Sequence, residues 1–348
     1  MSKREALKIG RECIKGAQKG AAWLAKQQAP DGSWKVLDKP LVDAYYKAPA
    51  AFALMGHAAA AERALDCIKA HFLQPDGDFL PRGDSWYIDV HYQYANGWIT
   101  FGAQKQARYD VAGPAIRFLL TQQDPASGGF YANKSAGGKK QRIDTMSSGI
   151  AGVACLAAGQ IEAARKLAGF FQKMIDMQPA PDKYYLTLEA DGKLGVNFPA
   201  DQAGWRVVET TKPDQTWYAV GLPFVFSVLL YDATGEERYA KLAQWYFDFQ
   251  SRCVNPWAGG SSGKAAWGCS IMYHRTGDEK YLRIAEQVAR LQMSCQTPAG
   301  WFAWGGSAYG GTGSGAGEKT FNNDDFDVTS EFTAWLALIG SNLLAGAK

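Results

Sequence analysis

The sequence predicts an all-α fold, an (α/α)6 toroid of six helical hairpins with two long loops over its funnel. Three observations carry that reading. First, a helix-like stretch ending in Gln and followed by a Pro/Asp/Gly turn occurs six times, at Gln28, Gln74, Gln123, Gln178, Gln250 and Gln296. The copies lie roughly 50 residues apart, the period of stacked helical hairpins, with one longer gap after Gln178. Second, amphipathic segments alternate with segments that are apolar on most faces. Third, Thr234-Gly235 and Thr276-Gly277 place a glycine where a helix must end and turn.

Taken in order, the outer helices span about 6–28, 58–74, 109–123, 161–178, 236–250 and 278–296. Their charges fall at helical spacing, as in Glu236-Glu237-Arg238-Tyr239-Ala240-Lys241, so one face is wet. The inner helices span about 44–57, 94–106, 144–160, 215–234, 264–276 and 329–345. Segments such as Gly149-Ile150-Ala151-Gly152-Val153-Ala154 are apolar all round and therefore buried. The first helix packs beside the last hairpin to close the ring. Neither half buries its faces alone, so residues 1–348 read as one toroid domain. The connection 179–214 reads as a surface β-hairpin or a site loop, and the Gly-rich stretch from Gly300 to Asp327 as a lid over the funnel.

Composition narrows the function. Of 348 residues 47% are hydrophobic and 20% charged, which excludes disorder. Thirty-seven basic against 34 acidic residues leave a net charge of +3, with no basic block beyond pairs such as Lys139-Lys140, so nucleic acid is not an expected partner. No apolar run approaches the ~20 residues that span a bilayer. The N-terminal residues lack the apolar core of a secretory signal. The expectation is a soluble cytoplasmic protein acting on a small molecule. The cysteines at 13, 67, 155, 253, 269 and 295 form no C-x-x-C pair and read as buried thiols. Twelve Trp, 16 Tyr and 17 Phe exceed the needs of a core and point to an aromatic-lined cavity.

Lys19-Gly20-Ala21-Ala22-Trp23-Leu24-Ala25-Lys26-Gln27-Gln28-Ala29-Pro30-Asp31-Gly32-Ser33-Trp34 matches the QW repeat of squalene-hopene and oxidosqualene cyclases. The chain thus resembles the terpenoid cyclase and protein prenyltransferase superfamily. The other copies are degenerate, with Phe79 or Phe130 in place of the Trp in two of them. The resemblance implies the α-α toroid, and an apolar substrate protonated by an Asp-x-Asp-Asp element, to which Asn323-Asp324-Asp325-Phe326-Asp327 is the nearest match. The superfamily's zinc ligands have no counterpart: there is no Cys-His dipeptide, and Cys269 and His274 point to different helix faces. The Gly run also lacks the Gly-Lys-Ser/Thr of a phosphate loop. No metal or organic cofactor is expected.

In such a toroid the residues before and within the first turn of each inner helix face the funnel. Asp43, Asp89, Asp144, Asp214 and Asp327 stand there, as helix caps or as acid/base groups. His91 alone among the four histidines falls at this rim, and imidazole is the side chain suited to moving protons near neutral pH. Asp43, Tyr45, Asp89, His91 and Asp144 are the catalytic candidates. Tyr46, Trp86, Tyr92, Trp98, Asp214, Trp217, Trp267, Trp301, Trp304, Asp324, Asp325 and Asp327 are the substrate-binding ones. Two activities follow. One is a terpene-cyclase-like cyclisation, isomerisation or dehydration of a terpenoid or polyketide-like substrate. The alternative is a carbohydrate-active (α/α)6 hydrolase, lyase or epimerase, whose Asp residues lie at inner-helix starts and whose Trp residues stack on sugars.

Overall fold

The computed structural model describes residues 3–37, 41–82, 90–135, 139–303 and 321–346. Six outer helices, α1 (Lys3–Gln27), α3 (Ala58–His71), α5 (Tyr109–Thr121), α7 (Ile161–Asp176), α10 (Glu237–Ser251) and α12 (Glu279–Ser294), alternate with six inner ones. The inner helices are α2 (Ala48–Leu54), α4 (Gln93–Lys105), α6 (Thr145–Ala157), α9 (Tyr218–Thr234), α11 (Gly263–Thr276) and α13 (Asn323–Gly346). One short helix, α8 (Ala203–Arg206), lies in the loop before α9. The fold is the (α/α)6 toroid that the repeats predict.

The inner helices are buried on nearly every face, as α6 and α11 show, because a helix walled by neighbours has no wet side. Gly235 and Gly277 close α9 and α11 in left-handed conformation, each donating its N–H to the carbonyl four residues back. Such short turns join each inner helix to the next outer one. The long connections run from outer to inner helices and gather at the opposite rim.

Three of the six repeat glutamines tie neighbouring outer helices together. Gln28 donates to the Ala60 carbonyl at 3.1 Å, Gln123 to Ala163 at 2.9 Å and Gln296 to Gly16 at 2.9 Å. Each tethers the end of one outer helix to the next outer helix. In the same three copies a glycine, Gly32, Gly128 or Gly300, abuts a backbone carbonyl three residues further along that neighbour, at Arg63, Lys166 and Lys19. The last pair falls on α1, so the ring closes by the same contact that builds it. Gln74 and Gln178 donate only within their own copies, and the Gln250 amide is buried without a hydrogen bond among the described residues, so these three copies lack the tether.

Two elements differ from the sequence reading. Helix α13 begins at Asn323 rather than near 329, because Asn322 and Asp325 cap one another through their backbone N–H groups at 3.1 and 3.2 Å. The loop between α7 and α9 is more than a hairpin. Strand β2 (Lys183–Tyr185) pairs antiparallel with β4 (Val207–Glu209), while β3 (Thr187–Leu188) pairs with β1 (Ile143–Asp144) of the preceding loop. Two adjacent rim loops are thereby stitched together. The expected lid falls largely on residues outside those described.

Five of the six cysteines are buried and all are free. Burial pushes the thiols of Cys155 and Cys253 up to about 12, beyond ready thiolate chemistry. No helix among the described residues is long and apolar enough to cross a membrane.

Candidate active site

Every inner helix presents a charged or phenolic side chain at the long-loop rim. They are Lys47 at the N-cap of α2, Tyr94 in α4, Asp144 at the N-cap of α6, Tyr218 in α9, Lys264 in α11, and Asp327 with Glu331 in α13. Contacts between opposite walls show that these groups meet inside the ring. Lys264 of α11 lies 5.7 Å from the ring of Tyr94 in α4, directly across the toroid. Beneath them Trp98 contacts Trp335 at 5.0 Å, and Phe101 contacts Trp267 at 6.2 Å. Indole and phenyl rings thus floor the funnel, and Trp98 and Trp267 belong to that floor.

His91 and Asp144 form one half of the site. Nδ1 of His91 lies 2.9 Å from Oδ2 of Asp144, and both side chains are buried. Asp144 also caps α6, accepting the Ser147 N–H at 2.5 Å and its hydroxyl at 3.1 Å. With Nδ1–H donated to the carboxylate, Nε2 carries the lone pair. That nitrogen is buried and has no hydrogen-bond partner among the described residues. The imidazole meets Tyr218 edge-on at 6.3 Å.

The other half is a buried ionic cluster. Glu331 accepts from Lys47 through one oxygen and from Lys264 through the other, and Trp335 donates its indole N–H to it at 3.0 Å. Asp327 takes a second contact from Lys47 at 2.9 Å. Lysines at helix N-termini oppose the helix dipole, and the two acids of α13 compensate them. Burial raises the Glu331 carboxyl, but Lys264 and Lys47 outweigh it and hold the group below its ordinary range. Asp327 goes the other way: burial, reinforced by Glu331 and opposed by Lys47, pushes it up to about 6. Lys264 is pulled down by burial and lifted by Glu331, with a net rise, so its ammonium is charged. Tyr218 spans the two halves, with Lys264 5.5 Å from its ring.

The remaining sequence candidates scatter. Asp43 is buried in a 3-10 turn before α2. Tyr45 is turned into the wall, accepting the Trp34 N–H at 2.8 Å and stacked on its indole at 5.4 Å. Tyr46 packs edge-on against Tyr94 at 5.7 Å and lies 4.7 Å under Lys47, inside the cluster. Tyr92 donates to Asp78 at 2.5 Å beneath the Arg82 guanidinium, a rim buttress. Asp214 stands exposed in a left-handed turn rather than at a helix start, on a cleft of about 420 Å³ shared with Trp205 and Thr216. Trp217 is buried as the N-cap of α9. Trp301 meets Phe321 at 5.6 Å. Asp324 is exposed and Asp325 is the capping partner of Asn322. Asp89, Trp86 and Trp304 lie outside the described residues.

Lys47, Lys264, Glu331, Tyr94 and Tyr218 are not among the residues that the sequence singled out. A signal existed for two of them. Lys264 opens an apolar inner helix and Glu331 interrupts another, and a charge inside a buried helix needs a buried partner.

No family model and no curated protein sequence matches the chain. Solved structures do. A glycoside hydrolase family 76 α-mannanase from Bacteroides thetaiotaomicron superposes with a TM-score of 0.64 at 13% identity, over 95% of each chain. A D-mannose isomerase superposes with a TM-score of 0.65 at 11% identity, over 94% of this chain and 97% of that one. An unsaturated glucuronyl hydrolase specific for heparin gives 0.59 at 11% identity, over 95% and 96%. These similarities correct the resemblance to terpenoid cyclases and, with it, the expectation of a terpenoid or polyketide-like substrate. The geometry agrees with the correction, because two lysines and two carboxylates in the funnel are a poor wall for a hydrocarbon. The QW-like repeat is the tether of Gln28, Gln123 and Gln296, a property of the ring rather than of that superfamily. At these identities the likeness establishes one thing, that the chain is an (α/α)6 toroid of the architecture shared by those carbohydrate-processing proteins.

Proposed function

We propose that the protein is a carbohydrate-active enzyme in which His91, oriented by Asp144, moves the proton. The observation that carries the reading is the buried Nε2 of His91, unpartnered among the described residues, on an imidazole whose other nitrogen is fixed by a carboxylate. That is the arrangement of a general base: Asp144 selects the tautomer and stabilises the imidazolium once Nε2 has taken a proton. Lys47, Lys264, Tyr46, Tyr94 and Tyr218 supply donors for sugar hydroxyls, and the aromatic floor suits the apolar face of a pyranose. The names of the solved structures it is similar to support a sugar substrate: mannanases, a mannose isomerase and glucuronyl hydrolases. Asp327, with its raised pKa of about 6, is the candidate proton donor opposite His91.

The test uses α-1,6-mannotriose, an unsaturated glucuronyl disaccharide and D-mannose as substrates for the wild type and His91→Ala. Turnover of one of them, lost in the variant, is the expected result. Failure to convert any of the three, or conversion that survives His91→Ala, would refute the reading.

A further inference from the structure

The loops joined by β1 and β3 carry a second group of side chains beside His91. In the ladder, Asp144 pairs with Thr187 and Ile143 with Leu188. Side chains alternate between faces along a strand, so Arg142, Asp144, Thr187 and Glu189 share one face, while Ile143 and Leu188 fill the core on the other. Arg206 reaches over this face and gives one nitrogen, Nη2, to Glu189.

What remains is unanswered. Nε and Nη1 of Arg206 are buried without a partner among the described residues, as are Nε of Arg142 and the hydroxyl of Thr187. The Arg142 side chain makes no hydrogen bond or ion pair among the described residues; it lies 4.9 Å from the Trp205 ring, which Arg206 flanks at 5.3 Å. A Cβ at Gly195 would collide with the Thr187 hydroxyl and with Oε1 of Glu189 and crowd Nη2 of Arg206, so only a bare backbone fits against this face. Buried donors left unpaired are costly and mark the place of an absent acceptor.

The charges indicate which acceptor. Glu189 answers Arg206, and the Asp144 oxygens are engaged by His91 and Ser147. The Arg142 guanidinium makes no ion pair among the described residues and feels the charges of Asp144 and Glu189 only through space, so a bound monoanion would be the first group to pair with it. A carboxylate presents two oxygens in the plane of the guanidinium fork.

We infer that Arg142, Arg206 and Thr187 form a subsite for a carboxylate of the substrate, so that the sugar processed beside His91 is a uronate. This rests on the carbohydrate reading above, and it assigns the substrate class through residues that the reading did not use.

The test is calorimetric and needs no turnover. Wild type, Arg142→Gln and Thr187→Val are titrated with β-1,4-mannotriose and with the β-1,4-linked mannuronate trisaccharide, which differ by a hydroxymethyl against a carboxylate on each ring. Mannose 6-phosphate is a third probe, and far-UV circular dichroism checks folding. The wild type should bind the uronate at least ~10-fold more tightly than the neutral sugar, the scale of one charge-assisted contact. Arg142→Gln should bring that ratio close to one. If Arg142→Gln fails to fold, the isosteric Thr187→Val should still lower the ratio. Equal binding of both trisaccharides by the wild type overturns the subsite and leaves the carbohydrate reading standing. Tighter binding of mannose 6-phosphate than of the uronate overturns the carboxylate assignment. Binding of none of the three overturns the inference together with the reading beneath it.

Discussion

His91 and Asp144, 53 positions apart, meet across the gap between two neighbouring inner helices, with 2.9 Å between imidazole and carboxylate. Asp144 does two things at one place: one oxygen caps α6 and the other orients the imidazole. The two roles separate by mutation. In Asp144→Asn the amide oxygen keeps the Ser147 N–H, so the helix start survives. The amide nitrogen then faces Nδ1, and the imidazole proton moves to Nε2, where the base is needed. Turnover should fall by about 10² or more, with a melting temperature close to that of the wild type. A fully active Asp144→Asn would reduce the residue to a cap.

Glu331 should matter for stability in a way its neighbours do not. It is the common partner of Lys47 and Lys264, and Glu331→Gln leaves a buried ammonium without its counter-ion. Removing one side of a buried pair costs about 3–5 kcal/mol, measurable as a lower urea midpoint at unchanged slope. A loss below about 1 kcal/mol would mean that water reaches the cluster.

Asp327 imposes a pH signature. Its carboxyl has a folded-state pKa of about 6, above its ordinary value of 3.8, so the native state holds a proton that the unfolded chain releases earlier. The stability this confers is complete below about pH 4 and is lost as pH rises through about 6. Glu331 has the opposite sign, contributing above its ordinary 4.5 and losing it as pH falls toward its depressed folded pKa. Thermal melts of wild type and Asp327→Asn between pH 4 and 7 isolate the first effect. The wild-type advantage should shrink as pH rises, and a pH-independent difference would show that Asp327 does not titrate there.

Gly32 and Gly56 both have positive φ, at 87° and 73°, yet they differ in surroundings. A Cβ on Gly56 meets nothing, whereas one on Gly32 strikes the Arg63 carbonyl of the next outer helix. Gly56→Ala should cost about 1–2 kcal/mol, the backbone penalty alone. Gly32→Ala adds overpacking of about 1–3 kcal/mol. Denaturation of both variants gives the difference, and equal losses would mean that the ring relaxes at no cost.

The architecture was legible because periodicity reports burial: a helix with one wet face and a helix with none read differently in sequence, and the Gln-ended turns punctuate them. The start of α13 was not, since the reciprocal cap of Asn322 and Asp325 sits in a polar run that reads as loop. Part of the candidate site was legible from composition at helix starts, as with His91 and Asp144, although nothing in the spacing showed that the two would meet. The pairing of Lys264 with Glu331 across 67 positions depends on ring geometry, and so does the gathering of Arg142 and Thr187 on one face of a ladder two residues long.

The tether from Gln296 to Gly16 also has a consequence for synthesis. Helix α1 is made first, but the inner helix that covers it, α13, begins at residue 323. At the ~5–20 residues per second of translation, about 300 intervening residues leave α1 uncovered for roughly 15–60 s. Most of its waiting face is built accordingly: the buried positions are Ala6, Ile9, Gly10, Cys13, Gly16, Ala17, Gly20 and Ala21, with the large side chains Trp23 and Leu24 confined to its C-terminal end. Apart from Ile9, the positions before Trp23 expose little greasy surface. A nascent chain can carry such a strip through the whole of its production without offering a strong foothold to other unfinished chains.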